Sequence, residues 1–273
     1  MRIETVIGTI TKDNIHSRNK KKELFGGAPW FAVEIAEELE IPVRIVTNVG
    51  KDFPLDKIPD NILRLSKISI VGEQTTSLDI FASEKNVPAI VRSFTGEIKD
   101  IESLTGHLAI ISPLFQETNP SSIMKLREQF DTIILDIQGF TRPPFTENMR
   151  LSDGIKTHPE NLPELLKAID ILKCSDNELE AMFRGQPTQS KLKNLHNLGI
   201  KSIIVTKGKE GCILSKNSVT TEFRAKSVPN ANIVGAGDKF IILVGIFLLY
   251  NNSLEKSIEL AQRKLEKMME KTL

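Results

Sequence analysis

The chain has 273 residues, with 36 Lys plus Arg against 35 Asp plus Glu, which suits one large α/β domain and excludes a strong overall field for nucleic acid or anionic membrane. Its two cysteines, Cys174 and Cys212, make no metal-ligand spacing with His16, His107, His158 or His196, and fit a reduced, cytoplasmic setting.

Residues 3–8 are mostly apolar and read as a strand buried on both faces, with none of the basic and apolar regions of a secretory leader. Asp13 lies just past that strand's end, as a turn former or as a carboxylate gripping a substrate hydroxyl. Arg18 to Lys22 is a basic run without interleaved aromatics, the pattern of a solvated strand edge. Gly26-Gly27-Ala28-Pro29 then opens a helix to Leu39, with Phe31, Ala32, Ile35, Ala36 and Leu39 at helical spacing. After the strand Val43–Val49, residues 69–83 and 88–94 read as short alternating strands with no long helix between them. With residues 14–25 they suggest a small separate sheet, a lid over a pocket.

Buried strands return at His107–Ser112 and Thr132–Asp136, then at Ile169–Lys173, Ser202–Thr206 and Gly211–Leu214. Their alternation with helices predicts a parallel sheet covered by helices. The apolar run Phe240–Tyr250 is too short to span a bilayer and reads as a buried helix, and Ser253–Met269 as an amphipathic one.

Asn232-Ile-Val-Gly-Ala-Gly-Asp238 leads into that buried helix. A helix's first turn leaves N–H groups without partners and carries partial positive charge, which suits an anion. Gly235, Ala236 and Gly237 leave little side chain in the way, so the amides up to Asp238 are placed to hold a phosphoryl oxygen. Asp238 reads either as a base taking the proton of an attacking hydroxyl or as the cap of an ordinary core helix.

The double glycine Gly26-Gly27, Asn177-Glu-Leu-Glu180, Thr206-Lys-Gly208 with Gly211, and Gly235-Ala-Gly-Asp238 follow in the order of the motifs of the ribokinase-like (PfkB) carbohydrate kinases. The chain resembles that family, as an archaeal-type member, over nearly its whole length. The resemblance implies one ribokinase-like α/β domain over 1–273, a three-layer sandwich with a mainly parallel central sheet, and a β-sheet lid from about 14–25 and 69–94. It implies transfer of the γ-phosphoryl group of ATP to a hydroxyl of a sugar, inositol, other polyol or nucleoside, with Asp238 as base and Gly235 to Gly237 as anion hole. Asn177 and Glu180 match the family's N-x-x-E, which orders magnesium through water; they also suit an acidic helix start. Thr206, Gly208 and Gly211 match the nucleotide border and equally suit a hairpin turn. Asp13, Gly26 and Gly27 match substrate-binding positions, and Asp136-Ile-Gln-Gly-Phe-Thr-Arg142 resembles a Gln-Gly-x-x-Arg run that adds Gln138 and Arg142. A homodimer through the lid is implied as well; neither nucleic acid nor membrane is expected as a partner.

Departures from the family pattern matter too. Phe31 stands where an Asn usually contacts substrate, which suggests an aromatic ligand face; Trp30 beside it would allow base stacking. Asn232 replaces the usual Asp and leaves a monovalent cation open, and Lys239, where small residues are common, either meets a phosphate or snorkels from the helix end. The chain ends about 35 residues beyond Asp238, which bears on the adenine side. These features motivate a second reading, a weak or inactive relative that senses a nucleotide or sugar.

Overall fold

The computed structural model describes residues 3–17, 20–81, 89–151, 159, 161–226 and 235–271. Asn232 and His158 lie outside them. The apolar runs form a central sheet of nine strands. In chain order these are Glu4–Gly8 (β1), Val43–Val49 (β4), Lys67–Ile70 (β5), Gly106–Ser112 (β8), Phe130–Asp136 (β9), Ile171–Ser175 (β10), Ser202–Thr206 (β11), Cys212–Lys216 (β12) and Val219–Phe223 (β13). Their spatial order is β13-β12-β11-β10-β9-β8-β1-β4-β5. Pairing is parallel from β11 through to β5, as runs buried on both faces require. The last pairs, β11 with β12 and β12 with β13, are antiparallel. The run Gly211–Leu214 is therefore the return strand of a hairpin rather than a further parallel strand.

Alternate side chains of each central strand feed opposite layers. Val6, Ile45, Leu108, Ile110, Ile134 and Ile171 pack under Ala28–Leu39 (α1), Ala236–Leu249 (α7) and Leu254–Lys271 (α8). Ile7, Val46, Ala109, Ile111, Ile133 and Leu135 pack under Pro120–Leu126 (α3), Leu162–Ala168 (α4), Asp176–Met182 (α5) and Thr188–Asn197 (α6). A short helix, Asp60–Leu63 (α2), leads into β5. The period of two thus yields the three-layer sandwich.

A second sheet of four strands holds Lys20–Gly26 (β3), Thr11–Ser17 (β2), Ser77–Phe81 (β6) and Ala89–Ser93 (β7), in that order. The small sheet expected over 14–25 and 69–94 needs correction at its bounds. Residues 69 and 70 belong to β5, which pairs with β4 in the main sheet, and β2 begins at Thr11. Leu78, Ile80, Ala89 and Val91 pack on Phe115 from the loop after β8, where Phe94 and Phe145 both meet the same ring edge-on and each other at a tilt. That aromatic contact seats the small sheet at the carboxyl ends of the large one. No helix among the described residues is long and apolar enough to cross a membrane.

Candidate active site

In an open parallel sheet, side chains at strand carboxyl ends converge above the edge where helices begin. Ser112 closes β8, Asp136 closes β9, and Lys173 sits in β10, while Asp238 lies in the first turn of α7. Ser112 Oγ donates to Asp238 Oδ1 at 3.2 Å. Lys173 Nζ donates to Asp136 Oδ2 at 2.6 Å, and neither partner is more than 6% exposed in its side chain. A Cβ on Gly237 would stand 3.4 Å from Lys173 Nζ, so the ammonium lies directly beneath the start of α7.

The helix starts there because Gly235 takes a left-handed conformation, φ 74°, as its N-cap. A Cβ at Gly235 would come within 2.3 Å of the Phe31 ring, so only glycine lets α1 and the α7 N-terminus meet this closely. The opening amides of α7 have no carbonyl of their own helix to bind and face the site with the positive end of the helix dipole.

The charges at this edge act on one another. Burial pushes the Asp238 carboxyl above the usual carboxylate range; Lys173, the Ser112 hydroxyl and Arg142 pull it back, and Glu178 pushes it further up. Asp136 is pushed up to about 6, chiefly by burial and against the pull of Lys173. Burial would strip the proton from Lys173, but Asp136, Glu178 and Asp238 more than offset that and hold it as ammonium. Arg142 donates from Nη1 to the Leu114 carbonyl at 2.8 Å. Its guanidinium is disfavoured by burial and supported by Glu178, Asp238, Asp136 and Glu117. Gln138 follows Asp136 in a tight turn, its N–H donating to Asp136 Oδ1 at 3.2 Å.

In the second sheet, Asp13 is 6% exposed on β2. Its Oδ2 accepts from Thr11 Oγ1 at 3.0 Å, while its buried Oδ1 has no partner among the described residues. Burial pushes this carboxyl up to about 7, with Thr11 pulling slightly back. Gly26, on the paired strand β3, makes the space: a Cβ there would stand 2.6 Å from Asp13 Oδ2. Gly27 has φ 83° and would drive a Cβ to 2.0 Å from the Thr9 carbonyl, so the fold alone requires it.

Several residues singled out from sequence are placed elsewhere. Glu180, expected beside magnesium, turns outward to Lys191 and accepts from the Gly185 N–H at 2.8 Å. Asn177, in the first turn of α5, is exposed. Glu178 is the carboxylate of that helix that feels Asp136, Lys173, Asp238 and Arg142, and it is 4% exposed. It also closes a capping box with Ser175: its side chain accepts from the Ser175 N–H at 2.7 Å and its own N–H donates to Ser175 Oγ at 3.2 Å. The sequence signal for Glu178 was that Ser-x-x-Glu spacing, together with Leu179 and Met182 as the inward face of the helix. Lys173 carried no signal beyond a charge at the end of an apolar strand.

Thr206, Gly208 and Gly211 lie at the β11–β12 hairpin, and Thr206 Oγ1 donates to the Cys174 carbonyl at 3.4 Å. Gly211, at φ 102°, would bring a Cβ to 2.0 Å from the Phe223 carbonyl, whereas the space around Gly208, at φ 55°, is open. Phe31 offers no free ligand face: it is 7% exposed and covered by Gly235, with Lys239 Nζ 4.7 Å from its centroid. Lys239 is paired with Glu34 at 3.1 Å, and the Trp30 N–H donates to the same carboxylate at 3.0 Å. Trp30 packs with Phe25 and Phe53.

Among the described residues, no three His, Cys, Asp or Glu side chains form a metal cage. Glu178, a buried carboxylate that bears on Asp238 at the start of α7, fits magnesium that keeps its waters and rides on phosphates, the usual habit of that ion, whereas both Asp136 oxygens are engaged by Lys173 and the Gln138 N–H.

Comparison with known proteins agrees with this architecture. Residues 6–263 match the model of the pfkB family of carbohydrate kinases. An ATP-dependent 6-phosphofructokinase of Thermoanaerobacterium thermosaccharolyticum is 25% identical over 255 residues, covering 88% of this chain and 77% of the relative. A cytidine kinase of Thermococcus kodakarensis is 24% identical over 281 residues, covering 97% and 95%. Among solved structures, a pyrophosphate-dependent kinase in the ribokinase family, complexed with a pyrophosphate analog and myo-inositol, superposes with a TM-score of 0.81 at 20% identity, covering 98% of this chain and 95% of that one. The chain therefore belongs to the pfkB family of carbohydrate kinases and is a phosphotransferase acting on an alcohol group.

Proposed function

We propose that the protein transfers the γ-phosphoryl group of ATP to a hydroxyl of a small polyol, a sugar or an inositol, bound between Asp13 and Asp238. The observation that carries this reading is Asp238 itself: a carboxylate lifted by burial, in the first turn of a helix whose amides face an anion, with Lys173 and Arg142 bearing on it. An acceptor hydroxyl attacks the γ-phosphorus, Asp238 takes its proton, and the bond from phosphorus to the bridging oxygen breaks, so that ADP leaves with the electron pair. The amides opening α7 stabilise the charge on the transferring group, and Arg142 and Lys173 add positive potential. Glu178 would hold magnesium through its waters; when bound, the ion neutralises charge on the donor phosphates. The open space at Gly208 and the Thr206 hydroxyl suit the nucleotide border.

Asp13 orients the acceptor. Its unpartnered Oδ1 supplies the acceptor lone pairs that a hydroxyl of the substrate satisfies. A polyol suits the site better than a nucleoside, because the Phe31 face is taken by Gly235 and Lys239, and Trp30 is held by Phe25, Phe53 and Glu34. Asp238 and its glycine turn are in place, which favours turnover over a sensor role.

The primary test offers ATP and pyrophosphate separately to pools of sugars, inositols and nucleosides with magnesium, and measures phosphorylated product. ATP-driven phosphorylation in a sugar or inositol pool is expected, with loss of at least a hundredfold in Asp238→Asn. Product from pyrophosphate alone would overturn the donor, and a fully active Asp238→Asn would overturn the base.

Asp13 makes a second prediction. Its folded carboxyl holds a proton up to about pH 7, against roughly 3.9 in the unfolded chain. The folded state therefore binds more protons between those values, and stability falls as pH rises through them. Asp13→Asn removes that cost: denaturant unfolding at pH 8 should show the variant more stable by on the order of 4 kcal/mol, with the gain vanishing below about pH 4. KM for the acceptor should rise more than tenfold. A variant no more stable at pH 8, or one with unchanged KM, contradicts the assignment.

Glu178→Gln, which keeps the capping box because Gln also serves at that position, should raise the magnesium concentration needed for half-maximal rate. Glu180→Gln should leave it within twofold. The reverse pattern would return the metal role to Glu180.

A further inference from the structure

At the far end of α7 from Asp238, roughly 20 Å along a helix of this length, lies a cavity that the phosphoryl-transfer site does not use. Its volume is about 340 Å³, and it is lined by Glu4, Ile41, Pro42, Ile246, Leu249, Tyr250 and Asn251. That volume lies at the lower end of the range for small-molecule sites. Glu4, at the start of β1, is 1% exposed, and both of its carboxylate oxygens are buried without a partner among the described residues.

Two unsatisfied buried oxygens cost the fold free energy unless something else meets them. The neighbouring helix leaves room for this carboxyl: a Cβ on Gly245 would stand 2.1 Å from Glu4 Oε1, so the helix approaches the carboxyl through its one glycine at that turn. Desolvation pushes the free carboxyl well above the usual range, so a partner bringing its own positive charge would draw the proton off and ionise it.

The surroundings favour a cation over a neutral donor. The C-terminus of α7 places the negative end of its dipole at this wall. Tyr250, 62% exposed and part of the cavity lining, supplies an aromatic ring of the kind that attracts organic cations. Ile41, Pro42, Ile246 and Leu249 supply apolar walls, which reject a hydrated metal ion and accept a hydrocarbon body.

We propose that this cavity is a second, non-catalytic binding site for a small organic amine, with the ammonium on Glu4 and the apolar body against Ile41, Ile246 and Leu249. The test is calorimetric titration of the full chain with benzylamine, and with benzyl alcohol as its neutral counterpart. Benzylamine should bind saturably with one site per chain and more tightly than the alcohol. Glu4→Gln should weaken it by at least tenfold and leave the alcohol unaffected. Ile41→Trp, which fills the cavity from one wall, should abolish both. Thermal unfolding of each variant confirms that it is folded, and if Glu4→Gln is not, the contrast between wild type and Ile41→Trp decides. No saturable binding at millimolar benzylamine, equal binding by Glu4→Gln, equal binding of the two ligands, or binding that survives Ile41→Trp would overturn the proposal. Kinase turnover plays no part in the readout, so this result and the assignment of Asp238 stand or fall separately.

Discussion

The 2.6 Å ion pair between Lys173 and Asp136 is the contact on which the rest of the site depends. Burying two charges costs several kcal/mol per ion before their attraction repays it, so such a pair is poor evidence for stability and needs another reason to exist. Here the reason is its place in the fold. The ammonium stands beneath Gly237 and offsets a cluster of carboxylates, Asp136, Glu178 and Asp238, that would otherwise repel one another at the end of a sheet. With Lys173 in place, Asp238 can be buried and still be pulled towards ionisation, the compromise that the base role proposed for it requires.

Helix α7 ties this chemistry to the rest of the molecule. From Phe240 to Ile246 it is buried on every side, because the sheet lies below it and α1 and α8 flank it. A helix so enclosed meets its neighbours at short range through glycine, at Gly235 against Phe31 and at Gly245 against Glu4. The first contact fixes the turn that opens α7 relative to the helix after the Gly26-Gly27 pair. Gly26 of that pair gives Asp13 its space, so the proposed acceptor side and the proposed phosphoryl side meet in one frame.

Much of this was legible from the residues. Strands buried on both faces announced the parallel sheet, and the glycines before Asp238 announced a helix start suited to an anion. The rest was hidden for identifiable physical reasons. Lys173 ends an apolar strand and looked like an ordinary boundary charge; only the neighbouring strand shows that Asp136 meets it. Glu180 and Glu178 lie two residues apart, and helix phase gives them different surroundings: Leu179 and Met182 face the core, the capping box draws Glu178 in, and Glu180 is left to Lys191. The run Gly211–Leu214 has the composition of a parallel strand, but the short Thr206–Gly211 connection leaves no room for a crossover helix and makes a hairpin. Phe31 invited a ligand-facing reading because a sequence cannot show that Gly235 and Lys239 cover the ring.

The most direct test of this account is the pH dependence of kcat/KM in the wild type, Lys173→Arg and Lys173→Met. Asp238 is raised by burial and by Glu178, and lowered by Lys173, Ser112 and Arg142. In Lys173→Met one lowering influence is lost, and Asp136, left unpaired and buried, takes up a proton. The account predicts that the acidic limb of the profile moves to higher pH in Lys173→Met, with a lower plateau, and stays near its wild-type position in Lys173→Arg. An acidic limb that does not move when the ammonium is removed would contradict the claim that Lys173 sets the charge of Asp238.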